Sequence, residues 1–294
     1  MSSTLFEFKN VYQVFNEQEA ALQDISFSIK KGKKIALLGN NGAGKSTLLL
    51  HLNGILKPTK GSVFFKEKEL SYTRSTLQEL RKLVGLVLQN PDSQLFSSIV
   101  EEDIMFGLRN LGCSKLEIQT RTDDIMEKTG ITYLKGKPTH FLSQGQKKKV
   151  ALAGVLVMNP EVLLLDEPTA QLDPISTQSM IELLNEFHEQ GKTIVLSTHD
   201  VDFAYEWADE IMIISNGCLL FQGCPYDAFQ NEERLQRSQL RKPWMLEVYD
   251  ELIKPINSVF VPMNQDQLFS LLRTLLKNEN PFIHSKRIVG GRFQ

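Results

Sequence analysis

Gly39-Asn40-Asn41-Gly42-Ala43-Gly44-Lys45-Ser46-Thr47 decides how the chain is to be read. The apolar run Ile35-Ala36-Leu37-Leu38 precedes it and Leu48-Leu49-Leu50-His51-Leu52 follows, a pattern of strand, glycine-rich loop and helix. The spacing G-x-x-x-x-G-K-S is that of a phosphate-binding loop. Its glycines let the backbone curl so that successive N–H groups converge on an anion, and the new helix adds its positive end at the same point. Lys45 is placed to reach the β- and γ-phosphates of a nucleotide. Ser46 is placed to put its hydroxyl on Mg²⁺, and Thr47 to support the phosphates.

Composition narrows the class. The 294 residues are 41% hydrophobic and 23% charged, an ordinary globular balance with room for one large domain and an appendage. A formal net charge of -2 gives no basic field for nucleic acid. Cys113, Cys218 and Cys224 form no C-x-x-C pair, so reduced thiols are expected. The start, Met1 to Glu7, lacks the charged and apolar regions of a signal peptide. No apolar run reaches the ~20 residues of a membrane span, the stretch Val150 to Leu165 being broken by Asn159, Pro160 and Glu161. A role at a membrane must come through a partner.

Outward from the loop, Leu5 to Val14 and Ile25 to Ile29 alternate as strands, Ser62 to Phe65 and Val84 to Leu88 are further strands, and Leu77 to Leu83 is helical. From Asn90 to about Asn159 the pattern turns helical: Val100 to Leu108, Lys115 to Thr129, and a third helix beginning at Ser143. Val162-Leu163-Leu164-Leu165 is a continuous apolar run, as in a parallel strand covered on both faces. Asp173-Pro174 opens a helix that Gly191 stops. Thr193 to Leu196 is a strand leading to Ser197-Thr198-His199, Ala204, Trp207 and Ala208 lie on a helix, and Asn216-Gly217 joins two strands as a hairpin. Past Gly223 come polar, partly helical stretches, a helix capped by Asn264, and a basic tail from Ser285 holding Gly290-Gly291.

The apolar run ends in Asp166-Glu167. Adjacent acids at the end of a buried strand are costly unless a cation or a chemical task occupies them. Asp166 suits Mg²⁺, and Glu167 suits acceptance of a proton from an attacking water.

Leu142-Ser143-Gln144-Gly145-Gln146 resembles the signature L-S-G-G-Q of the ATP-binding cassette (ABC) ATPases. With Gln89 after a strand as the coupling glutamine, Leu172-Asp173 as the D-loop and His199 as the switch histidine, all the family's motifs stand in order between Leu5 and Gly223. The resemblance implies a P-loop fold: a RecA-like α/β core with an antiparallel β piece and an inserted helical subdomain. It implies an ATPase domain over 1–230, with the helical subdomain at about 90–159, and a small, mainly helical extension over 231–294. ATP and Mg²⁺ are implied, with Ser46, Gln89 and Asp166 toward the metal. Phe15 aligns with the aromatic that stacks on adenine, and Tyr12 is its rival. Gln144 departs from the family's glycine; its side chain points either outward or at nucleotide. Lys147-Lys148-Lys149 oppose the helix dipole, as a phosphate-facing cluster or as a solvated basic face.

In that family the signature of one subunit closes over the phosphate loop of another. Ser143, Gly145 and Gln146 therefore imply a second copy or a paralogue, with a homodimer favoured because every expected catalytic residue is present. Gln89 to Phe96, Val100 to Gly107 and Leu240-Arg241-Lys242-Pro243-Trp244 look like the energy-coupling-factor ATPases, especially the cobalt/nickel importer type. The resemblance then implies a transmembrane coupling subunit, a substrate-binding membrane subunit, a place on the cytoplasmic face of the cell membrane, and an extension that helps hold two ATPases together. A vitamin-type importer and a soluble non-transport ABC ATPase are the alternatives. Chromosome-type members need a coiled coil for which Asn90 to Phe141 has no room.

Overall fold

In the computed structural model, which describes residues 3–16, 19–255 and 260–278, the chain forms two compact units, Met1–Leu240 and Arg241–Gln294. In the first, strands β1 (Thr4–Asn16), β2 (Glu19–Lys30), β4 (Lys60–Phe65) and β5 (Lys68–Glu69) make an antiparallel sheet in the order β2-β1-β4-β5. The second sheet joins β3 (Lys34–Leu38), β6 (Val84–Val87), β7 (Val162–Asp166), β8 (Thr193–Thr198), β9 (Glu210–Ser215) and β10 (Cys218–Gly223). Its order is β10-β9-β3-β8-β7-β6, parallel except for the β9–β10 hairpin. Asn216 and Gly217 turn that hairpin with φ of 48° and 74°, the left-handed pair a tight two-residue turn requires.

Parallel strands need covering on both faces, which explains why β7 and β8 are buried at every position. One core runs from Phe6, Phe8 and Ile25 of the antiparallel sheet, through Leu48 and Leu52 of α1 (Lys45–Leu52), to Leu164 and Val195 of the parallel one. Next come α2 (Arg74–Leu83), α3 (Val100–Asn110), α4 (Lys115–Lys128) and α5 (Gln144–Leu156). The last three close over a second core, with Val100, Ile104, Leu108, Met126, Val150 and Ala153 at its centre. The helical block thus has its own apolar interior. Helices α6 (Pro174–Glu189) and α7 (Val201–Trp207) follow β7 and β8; Ala208 is the extended residue that ends α7 rather than part of it.

After the hairpin come α8 (Pro225–Ala228) and α9 (Glu232–Ser238). Ser215 Oγ of β9 donates to the Arg237 carbonyl at 2.8 Å and Leu235 is buried, so α9 belongs to the first unit. The unit therefore ends at Leu240 rather than at 230, because this short helix finds its apolar cover on the sheet. The second unit holds α10 (Trp244–Val248), a π-helical turn over Tyr249–Ile253 and α11 (Gln265–Asn278), capped by Asn264 Oδ1, which accepts from the Gln267 N–H at 3.0 Å. The basic tail from Ser285 lies outside the described residues.

Candidate active site

β3 is central, with β8 on one side and β9 on the other, both parallel to it, so the loop leaving its C-terminal end sits where the onward connections of β3 and β8 run in opposite directions along the sheet. Gly39 takes φ 153°, and a Cβ there would meet the Ile214 carbonyl oxygen at 2.2 Å; only glycine lets the loop leave β3 this close to β9. Gly44, at φ 109°, opens α1. Across the sheet, the residue after β7 is Glu167, at φ 48°.

These turns gather most of the sequence-predicted residues. A cavity of about 380 Å³ is lined by Ala21, Asn40, Asn41, Gly42, Gly44, Lys45, Ser46, Thr47, Gln89, Asp166 and Glu167. A wider one of about 1120 Å³ shares Asn40, Asn41, Gly42, Gln89 and Glu167 with it and adds Gly39, Ala43, Thr198, His199 and Gln239. Lys45 Nζ donates to the carbonyls of Gly39 (2.6 Å) and Asn40 (3.1 Å) and stands 4.0 Å from Glu167 Oε1. Burial pushes the Lys45 ammonium below its usual range, while the Glu167 and Asp166 carboxylates pull the other way. His199 Nδ1 lies 3.0 Å from Glu167 Oε2, with the ring largely exposed and the carboxylate buried.

Asp166 is fixed from β8, opposite Ser197 in the register. The Ser197 hydroxyl donates to Asp166 Oδ1 at 2.5 Å and accepts from the Glu167 N–H at 2.9 Å. One serine thus aligns both acids. Ser197 was legible only as a strand-end residue before His199. Ser46, Gln89 and Asp166 offer hydroxyl, amide and carboxylate oxygens around one cavity, a hard-cation donor set that fits Mg²⁺ completed by phosphate oxygens and water. Among the described residues no cluster of three His, Cys, Asp or Glu side chains could hold a metal without such help.

Other sequence-predicted residues stand apart. Phe15 lines neither cavity and is 57% exposed on β1; its rival Tyr12 is half-buried. Ser143, Gly145 and Gln146 also line neither. They open α5 through a capping box: Ser143 Oγ accepts from the Gln146 N–H at 3.3 Å, and Gln146 Oε1 accepts from the Ser143 N–H at 3.0 Å. Gly145 packs toward Leu172, next to Asp173, whose carboxylate caps α6 by accepting from Ser176.

The lysine run corrects both sequence readings. Lys148 is buried and donates to the carbonyls of Glu167, Pro168 and Ala170, so it is neither phosphate-facing nor solvated. Lys147 pairs with Asp92 Oδ1 at 2.6 Å and Lys149 reaches Ser179 Oγ at 3.3 Å. Gln144 Nε2 donates to Asp92 Oδ2 at 3.2 Å. A helix start tolerates these cations because each finds an oxygen partner off the helix axis.

The ABC transporter family model matches residues 22–170. The energy-coupling factor transporter ATP-binding protein EcfA of Methanocaldococcus jannaschii is 45% identical over 253 residues, 86% of this chain and 91% of that protein. A putative ABC transporter ATP-binding protein of Methanosarcina mazei is 46% identical over 84% of this chain, which spans 55% of that relative's length. Among solved structures, cbiO1 of Clostridium perfringens, part of the ABC transporter complex cbiONQ, superposes with a TM-score of 0.71 at 40% identity, over 86% of this chain and 97% of that one. A phosphate loop, a strand-end acid pair and a strand-end histidine around two cavities that share Glu167, within that match, leave one conclusion: the chain belongs to the ABC transporter ATPases, in the branch of the energy-coupling factor transporter ATP-binding proteins.

Proposed function

We propose that this chain binds and hydrolyses ATP to energise an energy-coupling-factor importer of cobalt or nickel ions. One observation carries the catalytic part: Lys45 and His199 converge on a single buried carboxylate, Glu167, at the mouth of the phosphate loop. In this reading the backbone N–H groups of 39–44 cradle the phosphates, and Lys45 exchanges its loop carbonyls for the β- and γ-phosphates. Glu167 accepts the proton of the attacking water, and His199 steadies the γ-phosphate. Ser46, Gln89 and Asp166 would hold Mg²⁺, which neutralises phosphate charge when bound. Phe15 stacks on adenine.

Because the signature lines neither cavity, Ser143, Gly145 and Gln146 act on the nucleotide of a second copy, with Asp173 near the shared interface. Two ATP molecules then lie between the copies, and hydrolysis releases them. The extension after Leu240 helps hold the pair, and a homodimer suffices.

No helix among the described residues is long and apolar enough to cross a membrane. The membrane partners are a coupling subunit and a substrate-binding subunit, with the ATPase on the cytoplasmic face. A cavity of about 380 Å³ between β6 and α3, beside the exposed, edge-to-face pair Phe96 and Phe106, suits a helix of the coupling subunit. The metal reading is supported by the motif runs 89–96, 100–107 and 240–244, and the multi-subunit transporter reading by the likeness to cbiO1, part of the complex cbiONQ. Purification from membranes should bring down the two companions, and vesicles carrying the complex should take up Co²⁺ or Ni²⁺ only with ATP and only with Lys45 intact. Uptake of a vitamin instead, or a soluble scaffold as the only companion, would overturn the metal-importer reading.

A further inference from the structure

Gln239 closes the rim of the wider cavity, and the chemistry above makes no use of it. It follows α9 with φ 51° and ψ 35°, a left-handed conformation that strains a residue with a side chain and that glycine adopts freely. Its base is firm: Ser215 ties α9 to β9 through the Arg237 carbonyl, and the buried Ser238 hydroxyl donates to the Arg234 carbonyl at 2.7 Å. From this base Gln239 Oε1 accepts a 2.6 Å hydrogen bond from Asn40 Nδ2, at the start of the phosphate loop. The loop is held separately further on, where the Gly217 N–H donates to the Ala43 carbonyl at 3.0 Å.

The Asn40 carbonyl accepts from Lys45 Nζ. Once Lys45 turns to a phosphate, that carbonyl loses its cation and keeps only the Ala43 N–H at 3.1 Å, so the Asn40 peptide is held less firmly against rotation. Rotation would aim a carbonyl oxygen at the anion in place of the N–H groups that bind it. A tether on the Asn40 side chain opposes this. Glycine at 239 would relieve the strain and offer Asn40 nothing.

We infer that Gln239 is a positioning residue of the phosphate loop, holding Asn40 so that the loop keeps its anion-binding shape when Lys45 engages nucleotide. The inference rests on the ATP reading of the site and extends it to a residue outside every motif.

Gln239→Gly in the full-length chain separates this role from a structural one. Calorimetric titration with Mg-ATP should show binding weakened about three- to tenfold, the size of one lost hydrogen bond. The melting midpoint should hold or rise, and the loss in turnover should fall on KM rather than kcat. In an Asn40→Ala background the same change should have no further effect. Unchanged affinity, a midpoint that falls with the affinity, or an undiminished effect beside Asn40→Ala would each overturn the role. Lys45→Ala is the control: if it binds Mg-ATP like the wild type, the ATP reading fails; if it binds weakly while Gln239→Gly binds normally, only the role of Gln239 fails.

Discussion

Lys148 Nζ donates a 3.0 Å hydrogen bond to the main-chain carbonyl of Glu167, joining the signature helix to the turn that carries the acid. The carbonyls of Pro168 and Ala170 share the same ammonium, and Glu167 and Gln171 bound the turn with φ of 48° and 62°. Burial pushes the Lys148 pKa down, with Glu167 and Asp166 opposing, so the three carbonyls help keep a costly cation in place. Lys148→Met takes the ammonium from all three and leaves only the Ala170 N–H on the Glu167 carbonyl. It should lower stability by about 1–3 kcal/mol. It should also cut kcat at least tenfold at saturating ATP, because the strained backbone under Glu167 relaxes. Urea unfolding and phosphate release measure the two; full kcat in a destabilised variant would remove the strut from the mechanism.

Glu167→Gln keeps the size of the side chain and takes away the carboxylate proposed as the proton acceptor. Turnover should drop by about 10²–10⁴-fold. ATP should remain bound and hold two copies together, visible as a dimer on gel filtration with Mg-ATP. Persistent hydrolysis would move the base elsewhere.

The exposed Phe15 ring has little packing to lose, so a change there reports on ligand rather than on fold. Phe15→Ala should weaken ATP by about 1–3 kcal/mol, the range of base stacking on an aromatic, and Phe15→Trp should restore it. The melting midpoint should not move. If Tyr12→Phe or Tyr12→Ala carries the loss instead, adenine stacks there.

His51 is fully buried in α1, with Nδ1 2.8 Å from the Thr47 carbonyl and Nε2 3.1 Å from Gln13 Oε1. Burial lowers its pKa below 6.5, the Thr47 carbonyl opposing. The unfolded chain therefore takes up a proton below about pH 6.5 that the folded chain refuses until lower pH. Stability should fall as pH drops through that window, and His51→Gln should flatten the dependence. Thermal melts at pH 7.5, 6.0 and 5.0 test this; parallel curves for both proteins would assign the acid limb to other groups.

Gln144 lies against Asp92 beside Lys147, on the protein's own surface. Such exposed contacts contribute little, so Gln144→Gly should leave turnover within about twofold. A large loss would mean that the amide reaches the partner's nucleotide.

Much of this was legible because short-range rules govern it. The phosphate loop follows from glycine spacing, the strand-end acids from an apolar run that stops abruptly, and the α5 and α6 caps from Ser143 and Asp173. What failed was the reading of Lys147-Lys148-Lys149, since a charge run looks solvated until the far chain that covers it is known. The two-residue strand β5 and the serine beneath Asp166 gave no periodic signal at all.

The order of residues along the chain alone determines that a triphosphate loop, an acid pair and a signature helix exist, because backbone conformation and capping depend on neighbours a few positions away. Only folding decides that Lys45 and His199 both meet Glu167 while the signature lines neither cavity, and that Gln239 reaches Asn40 across 199 positions. Those meetings depend on which strands pair and which faces bury, and sheet order is set by long-range packing that no local window contains.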